Sequence, residues 1–356
     1  SQRNALVGPV VADATFMMAS RTALAGILAQ PAEHLTLEIP TADGVLELDL
    51  VRAEIHSTGF SVVAASTGAD MEQTPGVHYR GIIAGEPGTL AAISIFPDEV
   101  MGFVSDATGN HVLGKLEGST DEHIYYADRD LIDPPVFECH TSEAGEVRPE
   151  RPTTGQDQER TLRCVDLYWE VDHDIFLDKG GLTNTLNYIT GLFNQHATLF
   201  DNDGISVQLS ELYIWDVPSP YTGNGVLLGQ FQEYRNSFNG NLAHLLGYSG
   251  PAGWAAGYAG LCASELDNSM CYSVIDTFYN TVPTYSWSVL VVTHEEGHLL
   301  GSRHTQACVW NGNNTAIDGC GEDEGPCSDA PIPANGGTIM SNCHQDPVGI
   351  NFTNGF

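Results

Sequence analysis

Positions 293 to 304 read Thr293-His294-Glu295-Glu296-Gly297-His298-Leu299-Leu300-Gly301-Ser302-Arg303-His304. Side chains four apart leave one face of a helix, so His294 and His298 can grip a single ion there. Zinc favours imidazole nitrogen and takes three protein ligands at a catalytic site, with a fourth position for water. A straight helix would carry His304 away from that ion. Gly301 can adopt positive φ, end the helix and bring His304 back as the third ligand. Glu295, beside the first ligand, is placed to take a proton from a metal-bound water. A bare HExxH string arises by chance, but HExxHxxGxxH fixes five positions in eleven. The chemistry this predicts is hydrolysis at one catalytic zinc ion.

With these residues the chain resembles the metzincins, whose zinc motif is followed by a methionine-containing turn. Gly337-Thr338-Ile339-Met340-Ser341 matches that turn. The resemblance implies that Met340 forms an apolar floor under the histidines and is not a ligand. Ala243-His244-Leu245-Leu246, Gly253-Trp254-Ala255 and Cys271-Tyr272-Ser273 are similar to the adamalysin, or reprolysin, branch. What this implies is an α+β fold with a mixed, mainly parallel five-stranded sheet, packed helices, an active-site helix and the Met-turn. It also implies an endopeptidase acting on protein or peptide substrates laid along the edge strand at Trp254, with 341–348 lining the pocket past the cut. Two positions depart from the pattern. Asn342 stands where astacin-like and serralysin-like relatives place a tyrosine. Glu296, usually apolar, points about 100° away from Glu295 on a helix and is expected to face solvent.

Stepping outward, three stretches must position this motif. Residues 1–139 are rich in short β-prone runs, among them Leu35-Thr36-Leu37-Glu38-Ile39, Leu46-Glu47-Leu48-Asp49-Leu50-Val51 and Phe60-Ser61-Val62-Val63, and are expected to be a β-rich domain. By position the resemblance makes them an inhibitory propeptide, so the chain's own N-terminal part is one expected partner. Residues 140–160 lose nearly all apolar side chains and carry Arg148, Arg151 and Arg160, which reads as a cleavable linker. Residues 161–356 alternate strand and helix patterns, with strands at 162–171, 205–214, 242–246, 254–261 and 271–275. Helices are expected at 182–200, 225–236 and, carrying the motif, 289–300.

The 356 residues carry 13 Lys plus Arg against 46 Asp plus Glu, a formal charge of −33. Such a surface repels nucleic acid and anionic membranes, and no apolar run reaches the roughly 18 residues of a membrane span. Ser1 opens the chain with no basic-then-apolar leader, so any signal peptide is expected to have been removed. A monomer is expected. The eight cysteines match no zinc ribbon, and an even number of them reads as disulfides in an oxidising compartment, hence secretion. The expected pairs are Cys320 with Cys327, Cys308 with Cys343, and Cys262 with Cys271. Cys139 then either joins Cys164 or binds the zinc as a thiolate in the uncut chain, the cysteine switch of many metzincin propeptides. Its place before the linker favours the switch, and His140 is a second candidate ligand. The acidic loop at 318–324 could hold calcium. Two rival readings are an inactive binding protein on a protease fold and a zinc amidase for a non-protein substrate. The intact ligand set and base speak against the first.

Overall fold

The computed structural model describes residues 6–71, 76–135, 139–141, 164–222, 227–250, 253–276, 282–322, 324–327 and 330–356. Positions 142–163, which hold most of the expected linker with Arg148, Arg151 and Arg160, lie outside the described residues. Two sheets organise the chain. The first eleven described strands are β1 (Thr15–Met18), β2 (His34–Thr41), β3 (Gly44–Ala53), β4 (His56–Ala64), β5 (Ala69–Asp70), β6 (Val77–Ile83), β7 (Leu90–Ile95), β8 (Val100–Asp106), β9 (Gly109–Lys115), β10 (Glu122–Ala127) and β11 (Val165–Val171). They are followed by β12 (Val207–Ile214), β13 (Leu242–Gly247), β14 (Gly253–Ala255) and β15 (Met270–Val274). The expected runs around Leu37, Leu48 and Val62 fall in β2, β3 and β4.

An antiparallel eight-stranded sheet has the order β1-β10-β9-β8-β7-β6-β3-β2. The second sheet has seven strands, β14-β15-β13-β11-β12-β4-β5, instead of the five expected. Five come from the part after residue 164 and form a mainly parallel array with β14 antiparallel at its edge. The other two come from before residue 139. Strand β4 lies parallel to β12, with Glu211 opposite Ser61 and Ile214 opposite Ala64, and so satisfies an edge that would otherwise be bare. The linear reading missed this because β4 pairs with a strand roughly 150 residues away. At the other edge, the expected strand at 254–261 is only the three residues of β14.

The longer helices are α1 (Arg21–Ala29), α2 (His173–Lys179), α3 (Leu182–Asn202), α4 (Leu227–Tyr234) and α5 (Tyr285–Leu299). Helices α3 and α5 pack on each other and lie between the two sheets, touching both. That position explains their sequences. From Tyr188 to Phe200 every residue of α3 is buried, as is every residue of α5 except Trp287. A helix covered on all sides needs no polar face. One apolar core therefore runs from Ala92, Phe96, Met101 and Phe103 through Ile189, Phe193 and Val289 to Leu167 and Trp169. A smaller core fills the far side of the eight-stranded sheet under α1, and another lies under α4. No described helix is long and apolar enough to cross a membrane.

Candidate metal centre

Helix α5 presents His294, Glu295 and His298, all buried, at its C-terminal end. Gly301 follows with φ 103°, in the left-handed region expected of it, and its N–H donates to the His298 carbonyl. The reversal brings His304 back. The three Nε2 atoms form a triangle of 3.1, 3.2 and 3.1 Å.

Each ring is held from its other nitrogen. His294 Nδ1 donates to the Ile339 carbonyl at 2.8 Å, and His298 Nδ1 to the Ser302 carbonyl at 2.8 Å. His304 Nδ1 donates to Glu324 Oε1 at 2.7 Å. With the protons on Nδ1, all three Nε2 atoms carry lone pairs. Burial, then the neighbouring imidazoles, push His294 and His298 far below the usual histidine range, so the rings are neutral. Three converging lone pairs repel one another unless a cation sits between them. Nitrogens about 2.0–2.1 Å from one tetrahedral ion would be roughly 3.3 Å apart. The donor set therefore fits zinc, and these three residues would hold it.

The methionine turn lies beneath. Met340 is fully buried, and a Cβ at Gly297 would come within 2.8 Å of its sulfur. Gly297 lets the floor rise against the helix between the first two histidines. The same turn also supplies the Ile339 carbonyl that orients His294.

Cys139 stands over the site, with Sγ 3.4 Å from His298 Nε2. Cys164 is elsewhere, its Sγ 3.4 Å from Ser206 Oγ, and both thiols are free. Cys139 thus lies beside the three histidines and is not joined to Cys164. His140, the other candidate, uses its backbone N–H to reach the Gly253 carbonyl at 3.0 Å, while its ring lies against Trp254. Cys139 itself bridges Gly253 in parallel, so this short segment occupies the outer edge of β14. Thr141 had no part in the sequence reading. Its hydroxyl donates to Glu295 Oε2 at 3.2 Å and accepts from the Ala255 N–H at 2.8 Å. One tripeptide thus covers both the metal position and the carboxylate. Burial pushes Glu295 up to about 8, against the lowering effect of bonds from Cys139 and Thr141. A buried carboxyl raised in this way is a stronger base once ionised, the property that general base chemistry uses. Gly253 makes room for it, since a Cβ there would lie 2.2 Å from Glu295 Oε1.

Two expectations are corrected. Glu296 does not face solvent: it is 1% exposed and turned toward the seven-stranded sheet. Its oxygens accept from Trp169 Nε1 (2.7 Å) and His244 Nδ1 (2.9 Å) and lie 2.8 Å from His196 Nε2. Burial alone would raise it, but the two imidazoles outweigh that and hold it at about 2. The disulfides are Cys308–Cys327 and Cys320–Cys343. Cys320 and Cys327 are close in sequence, but the intervening loop folds back so that Glu324 reaches His304 and Cys327 lands beside Cys308. Cys271 points into the core, Cys262 is exposed, and the two do not pair. In the acidic loop Glu324 is bonded to His304 and to Gln306 Nε2 (2.9 Å), and Asp318 accepts from the Cys320 N–H.

Residues 161–353 match the family model described as Reprolysin_5, metallo-peptidase family M12. Among solved structures, the chain is similar to the crystal structure of metalloproteinase-II from Bacteroides fragilis at 12% identity, over 80% of this chain and 86% of that one, with a TM-score of 0.47. No curated protein matches the chain.

Proposed function

The chain belongs to metallopeptidase family M12, and from that premise we propose that it is a secreted, zinc-dependent endopeptidase kept latent by its own N-terminal part. The observation that carries the reading is the triangle of Nε2 atoms of His294, His298 and His304, with the Cys139 sulfur within 4.8 Å of all three.

When bound, zinc would supply Lewis-acid polarisation of a scissile carbonyl and a water acidified for attack. Glu295 would act as the general base toward the attacking water and pass the proton to the leaving amine. The backbone of β14 receives the substrate by strand addition, the place where the 139–141 segment now lies. Met340 supports the site from below, Gly301 returns the third ligand, and residues 341–348 line the pocket past the cut. In the uncut chain Cys139 would be the fourth residue to hold the ion, and Thr141 engages the base through its hydrogen bond to Glu295. The two disulfides support an oxidising, extracellular destination, and the acidic surface supports a protein substrate over nucleic acid or membrane.

The test measures zinc content and casein cleavage before and after a cut in the 142–160 stretch. Cutting should raise cleavage while zinc stays at one ion per chain. Glu295→Ala should keep its zinc and lose cleavage by about 10²-fold or more. Cys139→Ser should raise the activity of the uncut chain. A zinc-replete, cut wild type that cleaves no peptide would overturn the reading.

A further inference from the structure

The N-terminal residues cover both edges of the sheet that carries the metal site, in two very different ways. At the β14 edge stands the isolated contact of Cys139. At the other edge β4 is built in. Its parallel register with β12 is extended by the Leu209 N–H on the Ile55 carbonyl (2.8 Å) and the Ala65 N–H on the Ile214 carbonyl (2.9 Å). Behind it, the eight-stranded sheet forms the lid over α3 and α5.

That contact has the character of a protein interior. Gly191 on α3 sits against Met101, where a Cβ would be 2.3 Å from the sulfur. In the reverse sense, a Cβ at Gly114 on β9 would be 2.6 Å from both Pro283 and Tyr285. Such interlocking requires atomic fit across the seam. Buried polar groups are also satisfied across it. The Asn194 amide of α3 donates to the carbonyls of Tyr79 (3.3 Å) and Ile93 (3.2 Å) and receives Arg80 Nε at 3.1 Å. Asn110 donates to the Ile350 carbonyl (2.9 Å) and accepts from the Phe352 N–H (3.0 Å), and Asn351 donates to the Asp106 carbonyl (2.8 Å). Separating the two parts would strand these groups and bare the apolar face of α5.

We propose that residues 6–135 are a permanent half of the folded enzyme and that cutting the linker leaves them bound to residues 164–356 as a non-covalent partner. Activation then moves only the segment around Cys139. The cut belongs to the latent-protease reading, whereas the persistence of the complex rests on the seam alone.

The experiment introduces a site for a sequence-specific protease within positions 145–155 of the full chain. The cut protein is passed over a sizing column in native buffer, and its fragments are identified by mass. Both fragments should co-elute at the uncut size and separate only where urea also abolishes the circular-dichroism signal. Release of the N-terminal fragment in native buffer would overturn the proposal. A second chain carrying Gly191→Leu should lose the N-terminal fragment more readily once cut; unchanged co-elution at every urea concentration would count against the seam as drawn. Casein cleavage is read on the same fractions. Co-elution without a gain in cleavage counts against latency alone, and release with a gain counts against the permanent half alone.

Discussion

Glu324 lies 20 positions beyond the histidine it serves. Its carboxylate fixes the His304 tautomer, so the lone pair of Nε2 aims at the other two rings. The Cys308–Cys327 bond and the Cys308 N–H on the Glu324 carbonyl (3.1 Å) hold the loop that delivers it. His294 and His298 are oriented by backbone carbonyls and so lack this dependence on a side chain. Removing such a partner typically weakens metal binding about 10–100-fold. Glu324→Ala should therefore lower zinc affinity in that range, measured by competition with a chromophoric chelator, and Glu324→Gln should lower it less. Equal affinity in all three proteins would show that Glu324 does not position the ligand. That His294, Glu295, His298 and His304 come together was legible because a single helical turn and a glycine bring them there. Glu324 and Thr141 were not. Their partners are 20 and 154 positions away, and an acidic residue in a Gly- and Cys-rich loop has the composition of a solvated turn.

Among the elements, α5 shows why the rest was harder to read. An amphipathic surface helix reveals its inward face through its period, but α5 is buried on every side and has no outward face to find. Glu296 was therefore assigned to solvent when it is the anchor of α5 on the sheet, joined to Trp169 on β11, His244 on β13 and His196 on α3. The sheet was similarly half visible. Strands β11, β12, β13 and β15 announce themselves by local pattern, but the pairing of β4 with β12 is a long-range event. The anchor makes a prediction that separates folding from chemistry. Glu296→Gln replaces a buried acceptor with a group that must also place an amide N–H among imidazole donors. Losing a buried hydrogen bond to a charged group in this way costs about 1.5–3 kcal/mol. The urea midpoint should fall accordingly, while zinc content at low urea stays at one per chain. An unchanged midpoint would mean that the contact does not anchor the helix.

For the molecule as a whole, charge works against the union of its two parts. Residues 1–139 hold 20 acidic and 6 basic side chains, and residues 140–356 hold 26 and 7, so both parts are strongly negative. The only lysines, Lys115 and Lys179, are already spent on Asp98 (2.6 Å) and Asp178 (2.8 Å). The apolar seam and the bonds of β4 must therefore hold together bodies that repel each other. Salt reduces that repulsion: the screening length falls from about 10 Å at 0.1 M to about 3 Å at 1 M. Paired surface charges are worth little and lose little on screening, so the net effect should be stabilising. The thermal midpoint of the uncut chain should rise as sodium chloride increases over that range, most steeply at the low end. Sucrose at matched osmolality, which leaves charge unscreened, should not reproduce the steep early rise. If sodium chloride left the midpoint flat or lowered it, repulsion between the two acidic parts would not be what limits stability, and the surface charge would have to be explained by solubility alone.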